Sequence, residues 1–186
     1  MHFRFPKSGL GALILALGVA GGTAWAHGGG EGPPQATLKR LFPAADNFVT
    51  RPLELNAEQK KQIQTRLGAP LAASDLANKV YIPSQNGQSL GVIWITEAHL
   101  KEGLADVLVG LDRQGHVAGV ALEHSPVAAL AQSSYLKQYL KLTTHSAFQV
   151  GRDLKPLAGN PAASKLVAAA AHKAAVVIDV AFLGGK

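Results

Sequence analysis

Residues 104–125 read LADVLVGLDRQGHVAGVALEHS, and this stretch decides the architecture. Two runs rich in Val and Leu, Leu104 to Leu111 and His116 to Leu122, flank Asp112-Arg113-Gln114-Gly115. Aliphatic and β-branched residues suit the pleated surface of a strand, and Asp and Gly supply the turn chemistry that joins antiparallel neighbours. The stretch is therefore a β-hairpin. Two upstream runs share its character, Lys79 to Ile82 and Ser89 to Thr96 (SLGVIWIT), so the hairpin belongs to a larger antiparallel sheet.

Around the sheet the period changes from two to that of a helix. In QATLKRLF, residues 35–42, Leu38, Leu41 and Phe42 share a helical face and Pro43 stops it. An extended stretch from Phe48 to Leu55 precedes Asn56, which can cap the helix AEQKKQIQTRL, with Gln59 at the capping-box position and Gly68 as the stop. Beyond the hairpin, Pro126 to Leu142 reads as a helix with Leu130, Tyr135 or Leu136, Tyr139 and Leu142 roughly in phase, and a loop follows from Thr143 to Gly159. Asn160-Pro161 then opens a terminal helix reaching about Phe182, with Asn160 expected to accept backbone N–H groups and Pro161 at the first helical position. That helix is almost entirely Ala, Val, Leu and Ile, yet Lys165, His172, Lys173 and Asp179 interrupt it, which favours packing over a sheet rather than crossing a membrane. The expected fold is α+β: one domain from Gln35 to Lys186, an antiparallel sheet with flanking helices and a C-terminal helix.

Composition narrows the chemistry. The 186 residues contain no cysteine, which excludes disulfides, thiolate zinc sites, iron–sulfur clusters, a cysteine nucleophile and covalently attached haem of the c type. Residues 1–26 carry Arg4 and Lys7, then an uncharged run from Ser8 to Ala24, and close on Ala24-Trp25-Ala26. A basic start, a short apolar core and a small-x-small end form the pattern of a secretory signal peptide, with an uncleaved membrane anchor as the alternative. The expected location is the periplasm, either free or anchored through that segment. Without it the net charge of +6 falls to +4, and the basic excess is dispersed, which argues against a nucleic-acid partner. The run from His27 to Pro34 reads as a flexible leader. His27 at a mature amino terminus would offer copper its amine and imidazole, with His116, His124 or His145 as a second ligand, but glycines on its C-terminal side organise such a site poorly.

No GxSxG elbow, HExxH, Walker loop or GxGxxG after a strand is present, and the carboxylates are scattered. Glu123-His124, directly after a strand, is the most site-like pair, although adjacent strand residues point to opposite faces. No catalytic residue emerges. The residues alone describe an exported α+β domain.

The passage DVLVGLDRQGHVAGVALEHS, residues 106–125, resembles the FMN-binding domain family, whose members include periplasmic subunits of ion-pumping redox complexes and the exported domain of the nitrous-oxide-reductase regulator. The resemblance runs through Val109, Gly110, Asp112, Gly115, Val117, Gly119, Val120, Leu122, Glu123 and His124. LKRLFPAADNF, residues 38–48, is similar to the segment that opens many such domains, and LAGNPAASKLVAAAAHKA, residues 157–174, stands where the family has its SGAT loop and C-terminal helix. In many members the Thr of that loop carries FMN through a phosphoester. Here Pro161 occupies its position, Lys155 stands where an acidic residue precedes the motif, and SPVAALA, residues 125–131, replaces a Gly-rich loop. Thr143 and Thr144 do not match the motif and read as turn or cap residues.

The resemblance implies an exported flavoprotein of periplasmic or membrane-associated electron transport. FMN would be held non-covalently, with Gly159, Asn160, Ala162, Ser164 and Lys165 at its phosphate, Glu123 and His124 nearby, and Trp94 or Tyr135 as a stacking surface. Its partner would be a membrane or periplasmic redox protein. The alternative is a non-redox binding or assembly module on the same fold, accessory to a metalloenzyme or membrane redox complex; a stand-alone enzyme fits least.

Overall fold

The computed structural model describes residues 32–185, so the expected signal peptide, His27 and most of the leader lie outside the described residues. Five strands form one antiparallel path in the order β1 (Asn47–Pro52), β2 (Lys79–Gln85), β4 (Gly91–Leu100), β5 (Gly103–Asp112) and β6 (Val117–Glu123), with the two-residue β3 (Gln88–Ser89) folded back on β2. The expected α+β class and antiparallel sheet are therefore present. Strands β4 and β5 pair from Gly91↔Asp112 to Leu100↔Gly103 and form the backbone of the sheet. The β5–β6 turn is the one the sequence announces: Asp112 Oδ1 accepts from the N–H groups of Gln114 and His116, each at 2.9 Å, and Gly115 takes φ +83°, a left-handed conformation suited to glycine.

Both faces of the sheet are covered, by unequal partners. Val107, Val109, Leu111, Val120, Leu122 and Trp94 face the larger core, closed by α5 (Pro161–Ile178) and the segments between residues 128 and 154. Ile93, Leu108 and Ala121 face the smaller core, closed by Leu38, Leu41 and Phe42 of and beside α1 (Gln35–Leu41). Glycines open this second face. A Cβ on Gly110 would lie 2.6 Å from Phe42, and one on the paired Gly119 would lie 2.7 Å from Leu41. Neither glycine has a positive φ, so close approach of α1 is the reason for both.

The helical segments after α1 test the periodicity. Asn56 and Gln59 form a reciprocal capping box at the start of α2 (Ala57–Leu67), which ends on left-handed Gly68, as expected. The short α3 (Ala73–Ala77) was not expected from the sequence. The single helix expected from Pro126 to Leu142 is instead a 3-10 turn at Ala128–Ala131, a four-residue α4 (Ser133–Leu136) and a second 3-10 turn at Lys137–Lys141. Extended Gln132 separates the first two pieces. The apolar spacing explains this correction: Leu130, Leu136, Tyr139 and Leu142 are multiples of three apart, the period at which 3-10 side chains align. At the terminal helix Pro161 takes the first position as expected, but the Asn160 side chain does not cap it. Ser164 Oγ does the local work, donating to Asn160 O and accepting from Leu157 N, each at 2.9 Å.

The helix α5 continues through a π turn at Asp179–Leu183, and the combined segment Pro161–Leu183 is long and apolar enough to cross a membrane. Much of it is buried against β4 and β5 instead. Two of its charged interruptions, Lys173 and Asp179, have charged partners. Lys173 Nζ donates to both oxygens of buried Asp75, at 2.8 and 3.0 Å, and Asp75 also accepts from Thr96 of β4. Asp179 receives Arg66 of α2 at 2.5 Å. Lys165 is exposed.

Gly110→Ala is expected to destabilise the fold by about 1–3 kcal/mol through overpacking alone. Phe42→Leu in the same chain should return part of that loss, because it removes the atoms the new methyl meets. Urea denaturation of the two single variants and the double variant measures the coupling, and strict additivity would contradict the contact.

Candidate functional site

The residues expected to hold a flavin fall on two faces of the sheet. Leu183, just beyond α5, lies 3.8 Å from where a Gly115 Cβ would sit, so the C-terminal end of α5 lies at the β5–β6 turn. Its amino end therefore lies away from that turn, and β6 also runs away from it, to Glu123. Glu123 nevertheless points to the α1 face: Oε1 accepts from Thr37 Oγ1 at 2.5 Å and from Arg40 at 3.3 Å. His124, at φ +52°, places Nδ1 2.8 Å from Asp106 Oδ2 on that side. This left-handed conformation is uncommon outside glycine and Asn. Gly159, Asn160, Ala162, Ser164 and Lys165 stand together at the start of α5. The structure joins these five to one another, and Glu123 and His124 to α1 and β5.

The start of α5 offers donors to a phosphate group but no free hydroxyl to be esterified by one. Gly159 is exposed at φ +77° with open space where a side chain would stand. The N–H groups of Ala162 and Ala163 belong to the first turn, which has no helical carbonyl to receive them, and the Asn160 side chain takes none. The helix dipole and exposed Lys165 add positive potential there. Pro161 has neither a hydroxyl to esterify nor an N–H to donate, and the nearest hydroxyl, on Ser164, is buried and committed to the loop. Trp94 is fully buried in the larger core and Tyr135 is 8% exposed, so both are packing residues here. Thr143 and Thr144 are turn residues: Thr143 Oγ1 accepts from His145 N, and Thr144 N donates to Gly115 O.

A second place was not visible in the sequence. At the other end of α5 a cleft of about 400 Å³ is lined by Arg66, Thr144, His145, Ser146, Ala147, His172 and Gly185. Arg66 bridges its floor, bonding Asp179 and the Thr144 carbonyl, the latter at 3.0 Å. The His172 ring packs on Phe148 with centroids 5.5 Å apart, and Phe148, 2% exposed, holds φ +53°. A buried aromatic in the left-handed region stores strain of order 1–3 kcal/mol, a feature that gathers at functional sites. Burial, with the Arg66 charge as a smaller contribution, holds the His172 imidazole below its ordinary pKa. The residues that line the cleft come from α2, the 143–147 loop, α5 and the segment after the π turn, which hides them from any motif search. The one signal available was the set of polar residues breaking an apolar helix.

For copper, His116 pairs with Asp112 at the β5–β6 turn, His124 with Asp106 at the opposite end of the sheet, and His145 lines the cleft. Among the described residues, no group of three or more His, Asp or Glu side chains is placed to hold a metal ion. No family model matches the chain, and no curated protein matches it.

Lowering the His172 pKa means that the folded protein binds fewer protons than the unfolded chain, whose His titrates near about pH 6.5. The stability is therefore complete above that value and falls as the pH drops from it toward the lower folded value. The urea midpoint should decline between about pH 7.5 and about pH 5.5, and His172→Gln should flatten that decline. An equal decline in the variant would show that another group is responsible.

Proposed function

We propose that the chain is an exported flavin-binding domain that holds FMN non-covalently and serves periplasmic or membrane-associated electron transfer with a redox protein as partner. One observation carries the reading: the amino end of an 18-residue helix, entered through left-handed Gly159, is exposed and carries uncapped N–H groups beside Lys165. Fixed backbone donors and a dipole end recognise a phosphate monoester well, and the resemblance of the hairpin and helix to the FMN-binding domain family names FMN as the one. FMN, when bound, supplies one- and two-electron redox chemistry that a chain without cysteine does not provide. The part left to the protein is to anchor the phosphate through Gly159, Asn160, Ala162 and Lys165, with Ser164 holding the loop, and to offer a rigid scaffold built on β4 and β5.

Pro161 and the committed Ser164 favour a second reading, a non-redox binding or assembly module that keeps the scaffold without the flavin. Flavin fluorescence separates the two. The purified protein is expected to quench added FMN and to bind riboflavin, which lacks the phosphate, at least about tenfold more weakly, as the loss of one charge-assisted hydrogen bond implies. Lys165→Glu should weaken FMN and leave riboflavin unchanged. No quenching by either would give the assembly module the preference, and a flavin that stays with the denatured chain would contradict non-covalent binding.

A further inference from the structure

We propose that the cleft at the C-terminal end of α5 binds a small tetrahedral oxyanion, of the phosphate or sulfate type, between Arg66, His172 and the 144–146 loop. The site lies apart from the proposed flavin phosphate site: His172 is twelve residues beyond Asn160, about 18 Å along the helix. It stands independently of that reading.

The lining chemistry selects for negative charge. Among the described residues, Arg66, His145 and His172 supply the titratable side chains on the wall, Ser146 and Thr144 supply hydroxyls, and no Asp or Glu lines it. The nearby acid, Asp179, lies behind Arg66 and is 5% exposed. A guanidinium has five N–H donors in a fixed fork, and the bonds to Asp179 and to the Thr144 carbonyl occupy two. Those two bonds hold the remaining donors in place instead of exhausting them. An oxyanion with several acceptor oxygens matches such a set better than an apolar ligand would.

The walls are preformed. Thr144 N is tied to Gly115 O at the β5–β6 turn, and the loop closes on itself through Thr143 N to Ser146 Oγ and Ser146 N to Thr143 O, each at 3.0 Å. Phe148 supports the imidazole from below in its strained conformation. On the far side Gly185 N donates to Asp179 O, and Gln62 of α2 donates to Gly185 O at 2.8 Å. A site held by bonds to three separate elements loses little ordering entropy on binding.

Binding should also take up a proton. His172 faces Arg66 from α2, His145 and Thr144 from the loop, Phe148 beneath it, and Asp179 through Arg66. An anion placed among these groups offsets the Arg66 charge and stabilises the imidazolium. By linkage, sulfate, which keeps its two charges throughout, must then bind more tightly as the pH falls.

Ring-nitrogen NMR of the whole chain, titrated from about pH 8 to about pH 5, tests this with sulfate and with glycerol 3-phosphate against chloride of equal ionic strength. Saturating sulfate is expected to raise the His172 midpoint by about one unit, the mark of tenfold tighter binding to the protonated site. Tighter binding of glycerol 3-phosphate would identify a phosphate monoester as the source, and tighter sulfate a free ion. His172→Gln should bind sulfate with an affinity that changes less over this range than the parent's, His145 being the imidazole left on the wall, while its quenching of FMN fluorescence stays as in the parent. A His172 midpoint that moves no further with either anion than with chloride overturns the proposal, whatever the flavin titration shows.

Discussion

Phe42 and Leu41 rest on backbone rather than on side chains, because Gly110 and Gly119 face each other across β5 and β6 beneath them. Much else depends on this contact. With side chains at those two positions α1 would ride higher, and Ile93, Leu108 and Ala121 would lose their cover. The contact also sets the height of Thr37 and Arg40, which reach Glu123 only because α1 lies close. A sheet clasped this tightly on its smaller face leaves its other face to α5 and the segments between residues 128 and 154. The many alanines of α5, among them Ala170, Ala171, Ala174 and Ala175, are buried against that face and permit a similarly close approach.

The helix α5 would be ambiguous without its polar residues. A run of that length and hydropathy satisfies the demands of a bilayer and of a protein core equally well. In this fold Lys173 and Asp179 tie the helix to the core, since each has a charged partner on a separate element. A buried pair of this kind adds little net stability over an apolar replacement, but breaking one partner leaves a buried charge and costs about 3–5 kcal/mol. Asp75 thus specifies where along the sheet α5 sits, through Thr96 on one side and Lys173 on the other.

The sheet, the β5–β6 turn, α1, α2 and the extent of α5 were legible in the sequence because each rests on local chemistry: a period, a cap or a turn residue. The failures share a cause. The stretch from 128 to 141 carried a period of three that resembles a helical one over a short window, so only the extended backbone at Gln132 reveals the break. Asn160 has the right chemistry for a cap, but its φ of −135° and ψ of 49° direct the side chain elsewhere, and Ser164 takes over the loop. Glu123 was visible as the end of a strand, yet which face it takes is fixed by a register shift near Gly110, a tertiary property. The cleft was least legible, since its walls meet only when α2, the 143–147 loop and the end of α5 converge.

The two ends of α5 present opposite electrostatic problems. At the amino end the helix dipole already favours an anion, and the donors are backbone groups that do not titrate. A phosphate there is met by backbone donors with Lys165 as a supplement, so no imidazole is needed to hold it. At the carboxyl end the dipole opposes an anion and Asp179 adds to the opposition, which is why Arg66 has to be positioned within bonding distance of it. With Arg66 partly spent on that neutralisation, any further anion depends on a second cation, and His172 can supply one only by taking up a proton. The same helix therefore offers one end whose anion affinity is built into the backbone and another whose affinity is set by pH. This difference follows from chain direction and the placing of Arg66, whichever ligands the two ends receive.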